Sequence, residues 1–203
     1  MNALNLALIT ALRSQLLAWQ QDHNIVAVWL QGSDKALCAG GDIREVQQHT
    51  LNAASSSAAL QQASDFFQAE YGLYAAMARY NKPIIAWCGG IVMGGGVGVS
   101  AHANVRVVTG RSKIGMPEVG IGLIPDVGGT YILSRAPGLL GLHAALSGAP
   151  FSGADAIALG FADHYVPHEK LEAFTAAVVG VIAALWPAVR AARTKPLEAI
   201  ADV

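Results

Sequence analysis

Leucines at positions 4, 8, 12 and 16, continued by Trp19, recur at helical spacing, and the apolar run at 25–30 that follows has the length of a strand. The chain is therefore predicted to open on a helix and a strand. Residues 31–41 read as a loop, after which Asp42, with Glu45 three positions on, opens a short helix. The Ala- and Ser-rich stretch at 52–59 reads as a mobile connection. Beyond it Leu60, Phe67 and Tyr74 fall at intervals of seven, and Glu70 and Met77 share their face, so a helix carries an acid on its apolar side. Strands are predicted at 84–87 and 104–108, separated by a helix at 94–102, and a strand-like piece starts at Lys113. Helices follow from about Val127, from Leu139 and from Gly153, the last behind Ser152 with Asp155 as its capping-box partner. A final strand at 162–166 precedes a long helix from about His168. Strand, strand-like turn and helix recur about every forty to fifty residues, a spacing suited to coils stacking on one another.

The chain of 203 residues with 53% hydrophobic content can bury one real core without disulfides. A net charge of −1 with scattered Lys and Arg offers no stripe for a phosphate backbone, so nucleic acid is not expected as a partner. Cys38 and Cys88 lack metal-ligand spacing, and two thiols outside a disulfide-rich setting point to a reducing compartment. The N-terminus has no basic segment ahead of an apolar one, which makes the cytoplasm the expected location. Two apolar stretches, 83–105 and 174–189, resemble membrane spans. Glycines interrupt the first, and the second is short and contains Pro187, so both are expected in a packed interior and no membrane partner is expected.

Candidate chemistry begins with Met116-Pro117-Glu118 and Pro125-Asp126-Val127-Gly128-Gly129, which bracket an apolar run free of other charges. Burial raises a carboxyl's pKa and a second acid raises one of the two further, so such a pair can divide acid and base work near neutral pH. The structural alternative has Glu118 in a tight turn after proline and Asp126 capping a helix from Val127. Two glycine-rich segments, Ala39-Gly40-Gly41-Asp42 and Met93-Gly94-Gly95-Gly96-Val97-Gly98, precede helices. Val99 breaks a dinucleotide fingerprint, and neither segment has the Gly-Lys-Ser/Thr of a phosphate loop. Glycines ahead of a helix leave its first amides free, so two such loops could hold one developing oxyanion; the alternative is that they serve only tight turns. His102 and His143 have no Ser or Cys in a nucleophile elbow nearby and read as structural, and Ser100 lacks the Gly-x-Ser-x-Gly frame.

Residues 36–43, 93–98 and 116–129, in this order and spacing, resemble the crotonase (enoyl-CoA hydratase/isomerase) superfamily, and within it the 3-hydroxyisobutyryl-CoA hydrolase branch of valine breakdown. The resemblance implies an α/β superhelix of ββα turns over a core at 1–167, followed by a C-terminal helical segment at 168–203, with the chain shortened at both ends relative to the family. It implies that the N–H groups of Gly41 and Gly95 form an oxyanion hole for a thioester carbonyl. It further implies that Glu70, Gly95, Glu118 and Asp126 bind substrate, with Glu118 and Asp126 catalytic. Hydratases of the superfamily resemble this chain at Glu118 but carry a second glutamate where Gly98 stands here. The expected activity is therefore hydrolysis of a short 3-hydroxyacyl-CoA, with an enoyl-CoA hydratase/isomerase or a non-catalytic CoA-binding remnant as alternatives. The expected partner is the acyl-CoA substrate, with homo-oligomerisation possible and no metal or redox cofactor called for.

Overall fold

The structure, a computed structural model, describes residues 1–52 and 57–193. It divides into two compact units, Met1–Val166 and Pro167–Val203.

The first unit opens with α1 (Leu6–Gln21), whose N-terminus is capped where the Asn5 side chain accepts the Leu8 N–H at 2.9 Å. The helix buries Ile9 and Leu16, while Leu8 is exposed. Leu4 is buried too, but ahead of the helix, in a parallel bridge to Gly41. The leucine spacing therefore locates the helix while misplacing its inner face, because Leu4 belongs to extended chain and not to the first turn.

Strand β1 (Val28–Gln31) follows, and then β2 (Ala36–Cys38), inside the segment read as a loop. Three residues, all buried, are too few for an alternating pattern to register. Helix α2 (Ile43–Asn52) starts where the Asp42 carboxylate accepts the Glu45 N–H at 3.3 Å. Residues 53–56 of the expected connection lie outside the described residues. Helix α3 (Ser57–Ala78) buries Phe66, Glu70, Leu73, Tyr74 and Met77, whereas Leu60 is 61% exposed. The interval of seven thus describes only the inner half of that helix.

Next come β3 (Ile84–Cys88), β4 (Ile91–Met93) and α4 (Gly95–Ala101), which account for the apolar stretch at 83–105 as packed interior. All five residues of β3 are buried, the continuous run expected of a strand covered on both faces. Strands β5 (Val105–Val108) and β6 (Lys113–Gly115) lead into a 3-10 turn at Pro117–Ile121. After α5 (Gly129–Leu133), α6 (Leu140–Ser147) and β7 (Phe151–Ser152) comes α7 (Gly153–Ala158), with the predicted Ser152–Asp155 capping box, and then β8 (His164–Tyr165).

The strands form two sheets. One has the order β1-β3-β5-β8 and is parallel throughout; the other has the order β2-β4-β6-β7, parallel except for the antiparallel β6–β7 pair. From β1 to β6 successive strands alternate between the sheets, so each of these turns lays one strand on each sheet before the helical segment that follows, the ββα superhelix; β7 stays on the second sheet and β8 returns to the first. The sheets share a core in which Ile84, Val92 and Val108 are fully buried, each contributing about 1.5–3 kcal/mol by removal from water. Cys38 and Cys88 are free thiols in that core, and burial pushes them up to about 11 and about 12 respectively.

In the second unit α8 (Leu171–Arg193) follows a 3-10 turn at His168–Lys170 and contains Pro187. By length and composition 168–187 could cross a membrane, and none of it is buried. The packed interior expected at 174–189 is not seen over 174–187, because among the described residues this unit supplies no second layer of structure to cover the helix.

Candidate active site

Two glycine loops face each other because no side chain keeps them apart. Gly40 has φ +107°, and a Cβ there would sit 3.2 Å from the Met93 carbonyl oxygen and 3.8 Å from the Gly95 nitrogen. A Cβ on Gly96 would lie 2.2 Å from the Cys38 carbonyl oxygen, an overlap that any other residue would have to relieve by moving β2. Around the loops the backbone is tied down: the Gly94 N–H donates to Gly115 O at 3.0 Å and the Asp42 N–H to Leu4 O at 2.7 Å. Among the described residues, the N–H groups of Gly41 and Gly95 donate to no protein acceptor. Gly95 is the first residue of α4, where a helix leaves its amides unused.

Glu118 sits in the 3-10 turn after Pro117, as the structural alternative had it, but it points inward: it is 6% exposed and neither carboxyl oxygen has a hydrogen-bond partner. A Cβ on Gly94 would be 3.1 Å from its Oε1, which places the carboxyl against the second glycine loop. Burial raises its pKa to about 7, and Asp126 and Glu70 add to the rise.

Glu70, 3% exposed on the inner face of α3, has its Oε1 2.7 Å from the Tyr74 hydroxyl. A Cβ on Gly41 would lie 3.8 Å from that same oxygen, so Glu70 abuts the first loop. Burial again raises its pKa and Asp126 adds to the rise, while a Tyr74 hydroxyl that donates to the carboxylate works the other way.

Asp126 does not act as the side-chain cap that the structural alternative would make it. Helix α5 begins two residues later than expected, at Gly129, whose N–H donates to the Asp126 backbone oxygen at 2.5 Å. The carboxylate instead accepts the Tyr71 hydroxyl at 2.6 Å. The next residue, Val127, is buried with φ +47°, a strained conformation for a β-branched residue, and it turns the chain between Asp126 and α5.

Gly41, Glu70, Gly95, Glu118 and Asp126 all line one cleft. Every residue nominated from the sequence is thus brought together. A buried carboxyl without partners, poised near neutrality beside two unused amides, can act as base or nucleophile on a carbonyl whose oxygen those amides receive.

Two residues escaped the sequence reading: Tyr71, which holds Asp126, and Tyr74, which holds Glu70. Tyr74 was visible only as an apolar-face residue; its position four after Glu70, one helical turn away, was the available signal. The Tyr74 ring also fills the space over α4: a Cβ at Gly98 would lie 2.5 Å from its Cζ, so no side chain fits there without displacing the ring. His102 packs beside this ring with centroids 6.1 Å apart, and a Cβ on Gly128 would lie 3.0 Å from its Nε2, which places it under the loop that carries Asp126. His143 lies elsewhere, in a separate depression beside α6 and α7. Among the described residues no group of His, Cys, Asp and Glu is arranged to hold a metal ion.

The sequence profile of the enoyl-CoA hydratase/isomerase family matches residues 1–199. The chain belongs to this family. Its relatives include the mitochondrial 3-hydroxyisobutyryl-CoA hydrolase of Xenopus tropicalis, 45% identical over 84% of this chain and 43% of the relative. The 3-hydroxyisobutyryl-CoA hydrolase 1 of Arabidopsis thaliana is 39% identical over 87% of this chain and 45% of its own length. The chain thus spans less than half the length of these curated relatives. Among solved structures, a carnitinyl-CoA dehydratase from Mycobacterium thermoresistibile superposes with TM-score 0.80 at 55% identity, over 91% of this chain and 54% of that one. An enoyl-CoA hydratase from Rhodobacter sphaeroides superposes with TM-score 0.79 at 40% identity, covering 88% of this chain and 52% of that one. These crotonase-fold neighbours agree with the superhelix of ββα turns.

Proposed function

We propose that the chain is an acyl-CoA thioester hydrolase acting on a short 3-hydroxyacyl-CoA such as 3-hydroxyisobutyryl-CoA. The observation that carries this reading is the buried, unpartnered Glu118 carboxyl in one cleft with Glu70, Asp126 and two unused amides. The names of the curated relatives support the same substrate class.

In this mechanism the N–H groups of Gly41 and Gly95 receive the thioester carbonyl oxygen as negative charge develops on it. Ionised Glu118 either attacks the carbonyl carbon, giving a mixed anhydride that water later opens, or removes a proton from a water that attacks directly. Collapse of the tetrahedral intermediate breaks the C–S bond, and the departing thiolate takes up a proton. One water is consumed, and the products are the 3-hydroxy acid and free CoA. Asp126, held by Tyr71, orients the water, and Glu70 binds the substrate's 3-hydroxyl.

Hydration or dehydration is the second reading, favoured by the 55% identical structure named as a dehydratase. Against it stands the Tyr74 ring, 2.5 Å from where a Cβ on Gly98 would lie, which leaves no room for a side chain at that position. Incubation with 3-hydroxyisobutyryl-CoA and with crotonyl-CoA separates the readings. Thiol release from the first is expected; loss of enoyl absorbance from the second without thiol release would favour hydration. Binding of both esters with turnover of neither would make the chain a binding unit.

A further inference from the structure

The Tyr74 hydroxyl is within hydrogen-bond distance of two acceptors, Glu70 Oε1 at 2.7 Å and the Gly95 carbonyl oxygen at 3.0 Å. A phenol has one hydrogen to give. Both contacts are hydrogen bonds only if Glu70 brings a hydrogen of its own. We propose that Tyr74 is a positioning residue that keeps Glu70 a neutral acid: Glu70 donates to the Tyr74 oxygen, and Tyr74 donates to the Gly95 carbonyl.

The chain of two bonds spans the site. It starts at an acid on α3, passes through a tyrosine one turn on, and ends on the residue whose N–H faces the cleft at the start of α4. It ties down the Gly95 carbonyl, one peptide unit along from the one that carries that N–H. The groups acting on Glu70 are Tyr71 and Tyr74 on α3, Cys38 on β2, Glu118 in the 3-10 turn and Asp126 ahead of α5. None of them is a cation, and two are acids, so a neutral Glu70 is what allows Glu118 to ionise beside it. A neutral Glu70 also leaves its second oxygen as a carbonyl acceptor for a substrate hydroxyl, an assignment that rests on the hydrolase reading above.

The test follows the protonated-carboxyl stretch in infrared difference spectra across pH, using Glu70→Gln to assign the signal. Wild type is expected to show a Glu70 acid signal at neutral pH. Tyr74→Phe keeps the ring against Gly98 and removes only the hydroxyl. If Tyr74 accepts from Glu70, its loss removes a bond to the neutral form, and the midpoint of the signal falls; if Tyr74 merely donates to a carboxylate, its loss raises the midpoint. No acid signal at neutral pH, or an upward movement in Tyr74→Phe, overturns the proposal. Should that variant not fold, the wild-type and Glu70→Gln pair decides by itself. In turnover, Tyr74→Phe is expected to lower kcat/KM for 3-hydroxyisobutyryl-CoA roughly five- to tenfold, the worth of about one hydrogen bond, and to lower it less for isobutyryl-CoA, which lacks the hydroxyl. Failure of the hydrolase reading would appear as absent thiol release with the infrared result unchanged.

Discussion

Glu118 joins two properties that usually exclude each other, deep burial and no partner, and the cost is expressed in its titration. Its unfolded pKa lies near 4.5 and its folded value near 7, so between these the folded state binds the extra proton and stability falls as pH rises. The effect is complete above the folded value and amounts to at most about 3 kcal/mol. Glu118→Gln, which cannot ionise, is therefore expected to be more stable than wild type above pH 7 and no more stable below pH 4.5, as read by chemical denaturation at the two extremes. Activity should run the other way, rising with pH through about 7 as the carboxyl ionises. Tyr71 acts on the third acid. Removing its hydroxyl in Tyr71→Phe frees Asp126 to rotate, and a loss of roughly tenfold in kcat is expected with little change in stability, since Tyr71 is 44% exposed. Unchanged kcat would remove Asp126 orientation from the mechanism.

Among elements, the short strands that lead into the glycine loops are the ones the pattern of apolar positions hides. Strands β2 and β4 have three residues each, and each ends beside one of the glycine loops. Neither has the length to show alternation, so the loop reading of 31–41 missed β2 even though the glycines following it were singled out. Long elements were legible: α3, α8 and the buried strand β3 all stand where periodicity or apolar runs put them. The site residues were legible for a different reason, their fixed order and spacing around glycines, which a single helix or strand does not dictate. What escaped were Tyr71 and Tyr74, because a tyrosine on an apolar helix face announces packing, and its hydroxyl's partner is set by elements distant in the chain. Outside the site, Arg106 on β5 clamps Asp163 just before β8 through Nε at 3.0 Å and an Nη–carboxylate contact of 2.6 Å. Burial alone would raise the Asp163 pKa, but the Arg106 side-chain and backbone bonds outweigh it and hold the carboxyl below 3.8. This pairing stabilises the fold above that pH and is lost as pH falls through the depressed value. Arg106→Ala is expected to cost about 1 kcal/mol at neutral pH, discounted for partial exposure, and less in acid. An equal cost at both pH values would show that packing of the arginine stem, and not the ion pair, is what matters.

At the scale of the whole molecule, all five nominated site residues belong to the unit Met1–Val166, while the apolar helix α8 belongs to the other. The chain corresponds to less than half the length of its curated relatives, yet within that half the cleft holds every acid and amide that the proposed chemistry uses. The proposed activity therefore requires that this chain, as it is, cleaves a thioester with Glu118. The most direct measurement is thiol release from 3-hydroxyisobutyryl-CoA by wild type and Glu118→Gln, with ester binding to each followed by calorimetry. The prediction is thiol release by wild type and a loss of at least about hundredfold in kcat for the variant, with ester affinity retained. Equal release by both proteins would contradict it.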